Sequence, residues 1–189
     1  MPENVTKKRK DSRIGKTDRD IKRAMLLLIA KEPFSQIRVE QIMAEAPVTK
    51  VTFYRHYASK DAVLDEIRED LVTEMKSNLD AMTDKSLAGG ILVFFRTMES
   101  TDTAYRRLFK DEEYEDFRRK LREEFFSQDY FTKMCQEQAY AEIVPAFISD
   151  AVSGIYLRWR TENTDNLNLK ELADRAARLI YSGLGTIRD

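Results

Sequence analysis

The sequence predicts an all-α protein, and three observations carry that expectation. Its 189 residues contain only six glycines and four prolines, so turn punctuation is sparse. Apolar residues recur three and four positions apart along most of the chain, the spacing that lines one face of a helix. Alternation of apolar and polar residues bounded by turn residues, the mark of a half-buried strand, is hard to find. The pattern divides into roughly nine helices, a small N-terminal set followed by a larger C-terminal one.

Taken in order, residues 1–14 hold Lys7-Lys8-Arg9-Lys10 and no apolar stripe, and read as a flexible basic arm. The first helix follows Thr17, a suitable N-cap, with Asp18 and Asp20 placed for the helix dipole. Ile21, Ala24, Met25 and Leu28 give it one apolar face, and Pro33 stops it near Lys31. Val39, Ile42, Met43 and Ala46 make a second, short helix that ends at Pro47 and has Arg38 where a hydroxyl cap would stand. Thr49 caps a third, running to His56. Ser59 opens a fourth, and Val63, Leu64, Ile67, Leu71, Met75, Leu79 and Met82 keep one of its faces apolar over about 24 residues. That length carries it out of the N-terminal set and into the next. Beyond Gly89-Gly90 the pattern remains helical, and helices are expected over 91–98, 104–109 and 114–127, the last with Glu112-Glu113-Tyr114-Glu115-Asp116 as an acidic start. Two more run from near Pro145 to about Arg160 and, after a polar loop at 163–168, from Leu169 to about Gly183.

Net charge is −1, from 32 Lys+Arg against 33 Asp+Glu. The balance is uneven along the chain. Residues 1–60 hold 14 basic and 7 acidic side chains (+7), and residues 61–189 hold 18 and 26 (−8). A basic N-terminal part of this kind points to a polyanionic partner. A single cysteine, Cys135, allows no internal disulfide and no cysteine-based metal site, and the longest apolar run, Met25–Ala30, is far below the roughly 18 residues a membrane span needs. A cytoplasmic protein with no cofactor and no membrane partner is expected. No nucleophile–base pair, Gly-rich phosphate loop or metal-ligand cluster points to an enzyme.

Function concentrates in the second and third helices. Two short helices joined by a tight turn, the second rich in basic and hydroxyl side chains, form a helix-turn-helix over about 38–57, which sets its second helix in the DNA major groove. Val39, Ile42, Met43, Val48, Val51 and Phe53 can pack the helices together. Thr49, Lys50, Thr52, Tyr54, Arg55 and His56 can face outward. Lys can donate to guanine, a Thr methyl can touch thymine, and Tyr, His and Arg can donate to phosphate. Arg38 and Lys60, at the starts of neighbouring helices, are further phosphate candidates. His56, the only histidine, taken alone would be read as locally packed; within the motif it joins the DNA contacts.

The stretch Val48-Thr49-Lys50-Val51-Thr52-Phe53-Tyr54-Arg55-His56-Tyr57-Ala58-Ser59-Lys60-Asp61-Ala62-Val63-Leu64 resembles the signature of the tetracycline-repressor (TetR) family of bacterial transcription regulators. An aromatic-Tyr pair, a His-aromatic pair and a Ser-Lys-acid step before an apolar helix carry the likeness. Pro47 stands where that family usually has Gly. The resemblance implies a DNA-binding domain over 15–75, an effector-binding and dimerisation domain over 76–189, a recognition helix over 49–56, and DNA contacts from Lys50, Thr52, Tyr54, His56 and Lys60.

It also implies a homodimer on a pseudo-palindromic double-stranded operator, more often a repressor than an activator, released by a small-molecule effector. Phe94, Met98, Phe117, Phe147 and Trp159 stand in for the lining of an effector pocket. The last two helices are expected to make the dimer interface through Ile148, Val152, Ile155, Ala173, Ala176 and Ile180, since apolar residues cover more than one stripe of the first of them and alanines allow close approach. A protein docked on the C-terminal domain in place of a small ligand is the alternative.

Overall fold

The computed structural model describes residues 3–83, 85–127, 131, 143–162 and 166–185, without the side chains of 3–14 and 183–185. Cys135, the side chains of Lys7 to Lys10 and half of the loop at 163–168 lie outside the described residues. Among those described, every regular element is helical: α1 (Glu3–Ile29), α2 (Val39–Glu45), α3 (Lys50–His56), α4 (Lys60–Ala81), α5 (Leu87–Met98), α6 (Thr103–Lys110), α7 (Glu115–Phe126), α8 (Ile143–Glu162) and α9 (Leu169–Gly185). Single 3₁₀ turns occupy Phe34–Gln36 and Glu112–Tyr114. No helix among the described residues is long and apolar enough to cross a membrane.

The chain forms two compact units. The first takes residues 1–70 and Thr101–Phe117, and the second takes Leu71–Ser100 and residues 118–189. In the first, the α1 face foreseen from spacing is buried at Ile21, Ala24, Met25, Leu28 and Ile29. Packed with it are Ile37, Ile42, Phe53, Val63 and Ile67 of the first unit's core, each at most 2% exposed. Helix α1 starts at Glu3, so the segment expected to be an arm without fixed structure is continuous with it; no glycine or proline separates Glu3 from Ile14, and Lys, Arg and Glu are good helix formers.

Caps follow the sequence at Thr49 and Ser59, Asp102 adds one not foreseen from the sequence, and Thr17, expected to cap the first helix, lies inside α1. The Thr49 hydroxyl accepts the Thr52 N–H at 3.2 Å, the Ser59 hydroxyl accepts the Ala62 N–H at 3.2 Å, and Asp102 accepts the N–H groups of Ala104 and Tyr105. Helix α2 has no hydroxyl cap, and Gln41 replaces it by accepting the Arg38 N–H through its side-chain carbonyl at 2.7 Å. Pro47 is held at φ 20°, far from the roughly −65° its ring favours, which makes it the strained residue of the turn.

In the second unit α9 packs chiefly against α5. Gly89 and Gly90, just before the helix start expected at 91, sit buried inside α5, which Ser86 caps by accepting the Gly89 N–H. Small buried residues on both helices, with Ala173, Ala176 and Ala177 on α9, suit a close helix pair. Phe94, Phe125, Phe126 and Phe131 form a contiguous aromatic core, with ring centroids 4.7 to 6.2 Å apart. Tyr156 stacks on Phe95 at 5.4 Å and donates its hydroxyl to Glu99 at 2.5 Å. Burial first, and the Glu99 carboxylate second, raise the Tyr156 hydroxyl well above the ordinary tyrosine range.

Candidate nucleic-acid interface

Helix α3 is seated by one residue. Phe53 is fully buried, and its ring meets those of Tyr54 and Tyr57 at 5.4 and 6.1 Å. With Phe53 inward, the helical repeat turns Lys50, Val51, Tyr54 and Arg55 to solvent. Val51 is 77% exposed and Tyr54 48%. Val51, assigned to the core from sequence, therefore belongs to the outward face, where a branched apolar side chain can meet a thymine methyl. The apolar run alone could not reveal this, because Val51 and Phe53 lie on opposite sides of a helix that is only seven residues long.

Thr49 is spent on the cap, and its hydroxyl also lies 2.9 Å from that of Thr52. Arg38 is exposed beside the start of α2 and keeps its side chain available for phosphate. Two expected contacts are corrected. The His56 side chain is 6% exposed and points inward, donating from Nδ1 to Asp18 Oδ1 of α1 at 2.5 Å; its Nε2 is buried with no partner among the described residues. Lys60 is also turned in. Its ammonium donates to the carbonyls of Phe34 at 2.7 Å and Ile37 at 2.9 Å and lies 4.4 Å from the Phe34 ring centroid. A charge placed to close the loop between α1 and α2 is not free to meet phosphate.

The same loop is held from a distant part of the chain. Glu113 accepts the Phe34 and Ser35 N–H groups at 3.1 and 3.4 Å, Tyr114 packs at 6.1 Å from the Phe34 ring, and Arg107 donates to the Ile29 carbonyl at 2.8 Å. Arg107 also donates to Asp111 at 2.8 Å, a bond that raises its pKa above the usual arginine value. The acidic run at 112–116, which the sequence explains as a helix start, thus supplies the contact that ties Thr101–Phe117 to the first unit.

Below α3, Lys22 of α1 reaches Glu66 at 3.1 Å and also pairs with Asp70. Burial would raise the Glu66 carboxyl, but the neighbouring Tyr57 hydroxyl and the bonded Lys22 ammonium outweigh it and hold it below the ordinary value of 4.5. Burial first, then Glu66, raises the Tyr57 hydroxyl well above its usual range.

Residues 23–67, which contain α2 and α3, match the family model described as bacterial regulatory proteins, tetR family. Over those residues the chain is similar to the TetR family of regulators. Solved structures agree at the level of the fold. A TetR transcriptional regulator from Streptococcus agalactiae is 20% identical with a TM-score of 0.63, over 90% of this chain and 97% of that one. The dihydroxyacetone kinase operon activator DhaS is 19% identical with a TM-score of 0.56, again over 90% and 97%. A TerR/AcrR-family transcriptional regulator from Aquifex aeolicus is 20% identical with a TM-score of 0.51, over 90% and 99%. No curated protein matches the sequence significantly.

The residues named for the C-terminal domain divide in the same way. Of the pocket set, Phe94 and Met98 are buried in the second unit, Phe117 falls in the first, Phe147 is 47% exposed, and Trp159 donates its indole N–H to the Leu167 carbonyl at 2.8 Å. Phe147 therefore cannot line an interior pocket of its own chain. Of the interface set, Ile148, Val152, Ala173, Ala176 and Ile180 are at most 2% exposed within one chain, and Ile155 is half-buried. They face their own core. The apolar side chains left on the surface are Ile143, Phe147 and Leu157 of α8 and Leu179 and Tyr181 of α9, from 47% to 67% exposed.

Proposed function

We propose that the chain is a homodimeric repressor that reads a pseudo-palindromic operator with the exposed face of α3 and leaves it when a small molecule binds the second unit. The observation that carries the reading is the outward set Lys50, Val51, Tyr54 and Arg55 on a helix fixed from behind by Phe53. Lys50 suits guanine O6/N7, Val51 a thymine methyl, and Tyr54 and Arg55 phosphate oxygens, with Thr52 at the edge of that surface and Arg38 outside it.

The partner subunit is seated on α8 and α9 through the residues the single chain leaves exposed. Ile143, Phe147, Gly154 and Leu157 follow one another at helical spacing on α8. A side chain added at Gly154 would meet nothing within 4 Å, so the backbone there is open to close approach by another helix.

Release by an effector is supported by chain connectivity. Helix α4 runs unbroken past Asp70, where the first unit ends, and Thr101–Phe117 belongs to the first unit although both flanking segments belong to the second. A rearrangement in the second unit has three covalent routes to the DNA-reading unit. Two half-sites must engage together, so a change of a few ångströms in their separation releases DNA without altering a reading residue. DhaS, an operon activator of similar fold, keeps activation open as the second reading, with a protein docked on the second unit in place of a small ligand as our own alternative.

The test is a duplex enriched from a random library by the wild-type protein. The repressor reading expects tight binding to an inverted repeat, loss of binding on addition of an effector found by thermal-shift screening, and derepression of a reporter. Co-purification of a stoichiometric protein with activation of the reporter would replace it with the second reading.

A further inference from the structure

We infer that Asp18 is a positioning residue for DNA reading: its carboxylate holds His56, and through it the C-terminal end of α3, in the register that binds an operator. The inference rests on the proposal that α3 reads DNA. Asp18 and Lys22 stand one turn apart on α1. Asp18 takes the Nδ1–H of His56 on α3 at 2.5 Å, while Lys22 takes Glu66 and Asp70 on α4. One face of α1 therefore grips the reading helix and the helix after it. A carboxylate can only accept, so the histidine proton is on Nδ1, and the ring orientation follows from that bond. The His56 side chain is 6% exposed and Asp18 26%, so solvent screens the bond little.

This assignment also gives Asp18, one of many acids in the first unit, a role that its charge alone would not supply. An acidic side chain near phosphate opposes binding, and on electrostatic grounds alone its removal would tighten binding to any duplex. Positioning makes the opposite demand for the cognate sequence. Helix α3 has only seven residues, with Phe53 fully buried and Tyr57 buried at its C-cap, so the His56–Asp18 bond is the polar hold that sets the orientation of that end. Freed from Asp18, α3 can tilt about Phe53, and Lys50, Val51 and Tyr54 then lose a common register against base edges.

Full-length Asp18→Ala and Asp18→Asn are compared with wild type for binding to the duplex enriched by wild type and to a scrambled duplex. Expected for Asp18→Ala is a loss of about tenfold or more on the enriched duplex, the range of a hydrogen bond to a charged group. Binding to the scrambled duplex stays equal or becomes tighter, and the salt slope is unchanged. Asp18→Asn, whose amide oxygen still accepts the imidazole N–H, recovers most of the loss. The inference is overturned if Asp18→Ala binds the enriched duplex as well as or better than wild type, or if the loss equals the unfolded fraction measured at the assay temperature. Hydrogen exchange of the free protein tests the pair without DNA. The Tyr57 amide, bonded to the Phe53 carbonyl at 2.9 Å, should exchange faster in Asp18→Ala while amides in the middle of α1 do not; equal protection overturns the inference. Failure of wild type to enrich any duplex would instead refute the DNA-reading proposal, with the exchange result still deciding the pair.

Discussion

Lys50 and Lys60 carry the same charge within one short stretch and are put to different uses. Lys50 is exposed on α3, whereas Lys60 closes the loop at Phe34 and Ile37. Lys60→Ala leaves two carbonyls without their donor and is expected to lower stability by about 1–3 kcal/mol, read as a fall in Tm, with the salt slope of DNA binding unchanged. Lys50→Ala is expected to leave Tm alone, change the preferred bases and reduce the slope by about one. A slope change from Lys60→Ala at constant Tm would contradict the assignment. Glu66 carries a pH prediction. Its carboxyl lies below 4.5 in the folded chain, so the stability it contributes is present above that value and is lost as pH falls through the lower folded value. Wild type should therefore lose more Tm than Glu66→Gln as the medium is acidified from pH 7 through this range, and parallel curves would count against the Lys22–Glu66 pairing. Residue types were legible before the fold; directions were not. The recognition helix could be placed from its Thr cap and aromatic pair, but whether His56 and Lys60 turn outward depends on Asp18 and on the Phe34 carbonyls, which lie 38 and 26 residues away in sequence.

Helix α8 shows how the same limit acts on an element. Periodicity correctly marks α8 as apolar on more than one face, yet a sequence cannot say which stripe meets its own core. Ile148, Val152 and Tyr156 take the core, and Ile143, Phe147 and Leu157 remain outside. Ile148→Ala is expected to cost about 2–5 kcal/mol of chain stability. Phe147→Glu combined with Leu179→Glu should instead convert dimer to monomer with the helical signal retained. Gly154 sharpens the test. An exposed glycine inside a helix costs roughly 1 kcal/mol relative to alanine, so Gly154→Ala should stabilise an isolated chain. If a partner helix packs there, larger side chains such as Gly154→Leu weaken the dimer in sedimentation. An unchanged dimer with both Phe147 and Leu179 replaced would refute the α8–α9 interface. The start of α5 differs for a related reason: the sequence places it at 91, after Gly89-Gly90, whereas in the fold the helix begins at Leu87 and the pair is buried in the helix that α9 covers.

At the scale of the molecule, the charge partition takes a different form from the one seen along the sequence. The contrast of +7 over residues 1–60 and −8 beyond suggests a basic head on an acidic body. Residues 61–70 and Thr101–Phe117 also belong to the first compact unit, and with them it holds 18 basic and 18 acidic side chains. On the proposed reading, attraction to DNA comes from exposed cations, Lys50, Arg55 and Arg38 among them, and not from the net charge of the unit. The same insertion means that a fragment ending at residue 75 lacks the Glu113, Tyr114 and Arg107 contacts to the loop before α2. Such a fragment should melt well below the full chain, or fail to fold, and a fragment as stable as the whole would show that Thr101–Phe117 is dispensable. That α3 reads DNA as one of two symmetry-related copies is most directly tested by sequencing the duplexes that the purified wild-type chain enriches from a random library. The expected outcome is an inverted repeat with half-sites about one helical turn or more apart, whose enrichment collapses for Lys50→Ala with Tyr54→Ala. Enrichment of no motif, or of one indifferent to those two substitutions, would contradict the account.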